Sequence, residues 1–89
     1  MKSMKESIVK IQTEIEITKM YKQIEKEESK REEQASFEVL HHYFKVAEHA
    51  IAETKKADTY EEALYWLGMA KRYSIRLRKM KQQLEKIES

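Results

Sequence analysis

The chain has no cysteine, no proline and a single glycine, Gly68, among its 89 residues. Without cysteine there can be no disulfide scaffold, no thiolate nucleophile and no Cys-based zinc or iron–sulfur site. One glycine is too few for a phosphate-cradling loop, a dinucleotide fingerprint or a nucleophile elbow, each of which needs several at fixed spacing. The shortage of both punctuating residues argues against a many-turned β fold. Long apolar runs are missing too, so nothing approaches the roughly 18 residues of a membrane span. The opening stretch MKSMKESIVKIQTEIE is charged throughout and has no signal-peptide h-region. These absences lead to the expectation of a cytoplasmic helical protein with no membrane contact.

What is present is charge and helical periodicity: 38% of residues are charged and 40% hydrophobic. The spacing predicts one all-α domain over 1–89, with helices at about 4–28, 30–56 and 60–88. Ser3 with Glu6 has the capping-box spacing. Met4, Ile8, Ile11 and Ile15 form one stripe, while Val9, Ile17, Met20, Tyr21 and Ile24 project on the opposite side. A helix apolar on two sides needs two neighbours or a twofold-related copy.

The stretch EKEESKREEQ, residues 25–34, has no apolar side chain and reads as a connection. Ser29 with Glu32 places a capping box, and hence a boundary, near Ser29. The competing architecture is one unbroken helix from 4 to 56, a rod of roughly 80 Å. That rod would belong to a long helical hairpin dimerising as a coiled coil.

In the second segment Phe37, Leu40, Phe44, Ala47 and Ile51 recur at 3, 4, 3 and 4, widened by Val39, Tyr43, Val46 and Ala50. Lys55 and Lys56 suit its C-terminal end. Thr59 with Glu62, or Asp58 with Glu61, opens the third segment. There Ala63, Trp66, Ala70, Tyr73, Leu77, Met80, Leu84 and Ile87 keep heptad spacing over four heptads. Tyr60, Leu64, Leu67 and Ile75 add a second flank. Gly68, inside this helix, is expected to admit a large neighbour such as Trp66 or an aromatic of the second segment. Three similar lengths with short connections describe an up-down-up antiparallel bundle. Its most buried positions are expected to be Leu40, Phe44, Ala47, Ile51, Trp66, Ala70, Tyr73 and Leu77, so that Phe44→Ala should unfold it.

The string Trp66-Leu67-Gly68 resembles the Trp-x-Gly of small secreted helical hairpins of type VII secretion systems. That motif occupies a turn between helices, whereas the periodicity here puts the string inside one. Trp66 is accordingly read as core.

The chemistry-bearing residues are few. His41, His42 and His49 are the only histidines, and Glu38 with His41 has the Glu-x-x-His spacing of di-iron bundles. Only one copy of that pair exists, and it points away from the apolar stripe, so neither a metal nor another cofactor is expected. The carboxylates lie in solvated runs, and no catalytic constellation emerges. The expectation is a protein that is not an enzyme and takes no small-molecule substrate.

Charge is unevenly distributed. Residues 23–62 hold eleven acids against six Lys and Arg, a formal net of −5. From Ala63 to Leu84 there is no acid, while Lys71, Arg72, Arg76, Arg78, Lys79 and Lys81 are all basic. Tyr65, Met69, Arg72, Arg76, Lys79 and Gln83 fall on one helix face displaced from the heptad seam, a candidate grip for a protein partner. On this reading Arg72→Glu with Arg76→Glu would leave the fold intact and abolish binding. The competing roles for the face are contact with nucleic-acid phosphates, or pairing with the acidic start of the second segment near Glu32, Glu33 and Glu38. The function expected is a non-enzymatic helical interaction module, acting as regulator, inhibitor or adaptor and associating as a dimer. A nucleic-acid-binding accessory protein is the alternative.

Overall fold

The computed structural model describes the backbone of residues 4–88 and the side chains of 8–87. The expected Ser3–Glu6 cap and the side chain of Met4 lie outside them. The described residues form three α-helices and no strand: α1 Met4–Ser29, α2 Phe37–Lys56 and α3 Tyr60–Glu88. The all-α bundle is therefore confirmed, and the unbroken 4–56 rod is excluded because the chain leaves the helix after Ser29.

Ser29 marks that boundary in the opposite sense to the one its capping spacing suggests. It is the last residue of α1, and its hydroxyl donates back to the Lys26 carbonyl at 2.8 Å. The second helix starts at Phe37 rather than near residue 30, and its N-cap is Ser36, an extended residue whose hydroxyl accepts from the Val39 amide. Glu38 in the first turn and Lys55 and Lys56 in the last complement the dipole of α2. At the start of α3 the Thr59–Glu62 pair works as its spacing implies. The Glu62 amide donates to Thr59 Oγ1 at 3.1 Å, and the Glu62 carboxylate reaches back to the Asp58 amide.

Side-chain contacts give the topology. Along α1 and α3 the paired numbers rise together: Glu16 with Tyr60, Met20 with Gly68, Glu28 with Arg72. These helices run parallel. Along α2 and α3 they run in opposition: Ser36 with Met80, Tyr43 with Tyr73, His49 with Trp66. The order is up-down-up, with α3 as the shared spine; among the described residues α1 and α2 pack on α3 and not on one another.

The core runs along α3. Ile24 of α1, Tyr43, Ala47 and Ala50 of α2, and Ile75, Met80 and Leu84 of α3 are buried. Of the eight positions expected to be deepest, only Ala47 is among them. Leu40, Trp66, Ala70, Tyr73 and Leu77 are half-buried, while Phe44 and Ile51 are 46% and 49% exposed. The cause is the number of neighbours. Helix α2 is apolar over a wide arc but meets only α3, and it turns its small residues Ala47 and Ala50 inward, where they allow close approach. The large stripe Phe37–Phe44–Ile51 is left outside.

Gly68 does admit a large neighbour, but from α1 rather than from the Trp66 side or from α2. A Cβ there would meet Met20 Sδ at 3.3 Å and Ile24 Cδ1 at 3.7 Å. The first contact is tight, yet a thioether end swings aside easily. Gly68→Ala is therefore expected to raise stability in urea unfolding by about 0.5–1 kcal/mol through helix propensity. Gly68→Leu should instead weaken the docking of α1.

Because Thr13 and Glu16 both meet the hydroxyl of Tyr60, the first residue of α3, it is the turns before Thr13 that extend past the bundle. The nine helical residues before Thr13, at 1.5 Å each, make an overhang of about 14 Å. The 55 Å long axis, against roughly 43 Å for the 29 residues of α3, fits that projection. Ile8, Val9 and Ile11 on it, and Ile15 just after it, are all about half exposed.

Candidate functional site

The organised polar chemistry of the molecule converges where α1 ends. Glu28 is 1% exposed, the only polar residue buried among those described. Its carboxylate accepts from Arg72 Nη1 at 3.0 Å and, through both oxygens, from Arg76 Nε at 3.0 and 3.1 Å. Arg72 also reaches Glu27 at 3.0 Å, and Lys71 pairs with Glu25 at the same distance. Lys79 donates to the main-chain carbonyl of Glu28, which also accepts from the Arg31 amide, and to that of Arg31, tying the end of α1 and the residues just after it to α3. The Arg76 guanidinium lies 4.8 Å from the Tyr73 ring centre and 5.6 Å from that of Tyr43, both within cation–π range.

The connection 30–36 is held by the same cluster. The Tyr43 hydroxyl donates to the Glu33 carboxylate, Arg31 bonds Glu33 at 2.8 Å and Tyr43 Oη at 3.2 Å, and the Ser36 amide donates to Met80 Sδ. A segment with neither Gly nor Pro thus stays non-helical because tertiary partners take its polar groups.

Burial alone would push the Glu28 carboxyl up. The hydrogen bonds from Arg76 and Arg72, and the charges of both, outweigh it and hold the group below its ordinary 4.5. Glu33 is shifted the same way, its desolvation overcome by Tyr43 and Arg31. A carboxyl depressed in the folded state contributes stability that is complete above its unfolded value and is lost as pH falls through the folded one. The urea midpoint should therefore hold steady down to about pH 4.5 and decline below it. Glu28→Gln should flatten that decline.

This cluster contains half of the face proposed for a partner. Arg72, Arg76 and Lys79 are committed to the end of α1, so the expectation that folding leaves that face unclaimed is corrected. Their acids also differ from those anticipated, being Glu27 and Glu28 of α1 rather than Glu32, Glu33 and Glu38. Gln83 stands half-buried beside a small polar cleft with Glu28, Arg31 and Glu33. Tyr65 is 59% exposed and, with the half-buried Met69, borders a shallow groove over Met20, Ile24 and Gly68.

A further surface that folding leaves open is apolar and lies between α2 and α3. Phe37, Leu40, His41 and Phe44 of α2, with Leu77 and Lys81 of α3, line a groove of about 320 Å³. Phe37 is 62% exposed there. The apolar spacing names Phe37, Leu40, Phe44 and Leu77, but it assigned Leu40, Phe44 and Leu77 to the core, and the signal that could have turned α2 the other way is the pair of small residues Ala47 and Ala50.

The histidines diverge. His41 borders this groove, His42 lies 6.1 Å from the Tyr43 ring and His49 5.3 Å from that of Trp66. Among the described residues no three His, Asp or Glu side chains are placed to hold a metal ion, and no helix is long and apolar enough to cross a membrane. A scan against family models matches none, and searches of the curated proteins and of the solved structures give no significant match.

Proposed function

We propose that this chain is a non-enzymatic helical interaction module that presents the Phe37–Leu40–Phe44–Leu77 groove to an apolar helix of a protein partner. The observation that carries the reading is the exposure of two phenylalanines on a surface formed by two antiparallel helices. A groove between helices takes an amphipathic helix whose apolar residues recur at 3 and 4, and an organised apolar patch marks an association surface. A cytoplasmic setting and a role as stoichiometric regulator, inhibitor or adaptor belong to the same proposal.

Contact with nucleic acid through α3 draws less support, because Lys71, Arg72, Arg76 and Lys79 already have partners in α1 or at its end.

A fluorescein-labelled amphipathic peptide with leucines at heptad spacing tests the reading. The protein should bind it, and Phe37→Glu with Phe44→Glu should weaken binding at least tenfold with helicity unchanged. The affinity should vary little with salt, whereas phosphate contacts weaken steeply. Equal binding by parent and variant would refute the assignment.

A further inference from the structure

We propose that the helix seated in this groove comes from a second copy of the chain. The Ile8–Ile11–Ile15 stripe of one protomer's α1 docks on Phe37, Leu40 and Phe44 of its partner, and the partner's stripe docks in return. The inference rests on the reading of the groove as an interaction surface. Both surfaces are present on one molecule and neither is covered: Ile8 and Ile11 project beyond the start of α3, Ile15 is half exposed beside it, and the phenylalanines face outward. Their spacings match, 8, 11 and 15 against 37, 40 and 44, each a step of 3 followed by 4.

Area decides between the possible pairings. The three half-exposed isoleucines leave on the order of 300 Å² open, and the wider Phe37 and Phe44 with the partly covered Leu40 leave about as much. Pairing like with like, stripe on stripe or groove on groove, would bury only about 600 Å², the size of a crystal-packing contact. Reciprocal docking uses all four surfaces and buries about 1,200 Å² before any polar rim, within the range of specific interfaces. One stripe and one groove per chain also allow the assembly to close as a twofold dimer, in which residue i meets j and j meets i.

The absence of native cysteine makes the test direct. The parent should have twice its 10.7 kDa chain mass by light scattering. Ile11→Glu with Ile15→Glu, and separately Phe37→Glu with Phe44→Glu, should each give monomers of parental helicity. Under mild oxidation, a mixture of Ile11→Cys and Phe44→Cys chains should cross-link to a covalent dimer at least tenfold faster than either alone. A monomeric parent at millimolar concentration would overturn the proposal. So would a dimer surviving in either double variant, or Ile11→Cys chains cross-linking as fast by themselves as in the mixture. The labelled peptide separates this claim from the one beneath it. If the parent is monomeric yet binds the peptide, the groove is an interaction surface whose occupant is another protein. If the Ile11→Glu, Ile15→Glu variant binds it more tightly than the parent, a second copy has been displaced from the groove.

Discussion

Replacing Glu28 with alanine is expected to lower the unfolding free energy by about 3 kcal/mol, the scale measured when one member of a buried ion pair is removed. The loss reflects what remains behind. Arg76, mostly shielded and stacked on Tyr43 and Tyr73, would keep its charge without its carboxylate. Arg72 would retain only the exposed Glu27. Since small domains are stable by only about 5–15 kcal/mol, urea unfolding followed by circular dichroism should show a large shift in midpoint. Glu27→Ala, by contrast, should leave the midpoint almost unmoved, because that carboxylate stands in solvent. Arg72→Glu with Arg76→Glu should be worse than Glu28→Ala, since it sets new carboxylates against Glu27 and Glu28. A double variant that melted like the parent would show that the cluster does not hold α1.

The second large effect is at Tyr43. This residue is 5% exposed, meets Tyr73 edge to face at 5.4 Å, and ties the 30–36 connection to α2 through its hydroxyl. Tyr43→Ala should cost about 3–5 kcal/mol, combining a cavity with the loss of a buried hydrogen bond to a charged group. The neighbouring Phe44→Ala should cost about 1 kcal/mol or less when measured at high dilution, because its ring is already half in water. The order matters more than the magnitudes. If Phe44→Ala proved the more damaging in dilute solution, α2 would be rolled the other way on α3, and the groove would not exist.

That pair of neighbours also shows how far the sequence could be read. The existence of three helices, the charged break after Ser29, the Thr59–Glu62 cap and the up-down-up order all follow from local chemistry. Spacing at 3 and 4 identifies a helix, a run without apolar residues identifies a connection, and short connections make neighbours antiparallel. Each of these signals is complete within about ten residues, so the chain carries it whatever else it touches.

What depended on long-range contacts was invisible to that reading. Which side of α2 is buried depends on α2 having one neighbour rather than two, and no pattern within Phe37–Lys56 records how many helices lie beside it. The non-helical path from residue 30 to Ser36 depends on Lys79, Met80 and Tyr43, 10 to 48 positions away from the residues they hold. A surface face was read in Tyr65–Gln83 because Arg72, Arg76 and Lys79 share one side of a helix. The same geometry serves equally to grip a carboxylate of the protein itself. Sequence determined the charges and their common face; only the parallel docking of α1, which brings Glu28 to that face and buries it, decided that the arginines are spent on the fold and that the open surface is apolar.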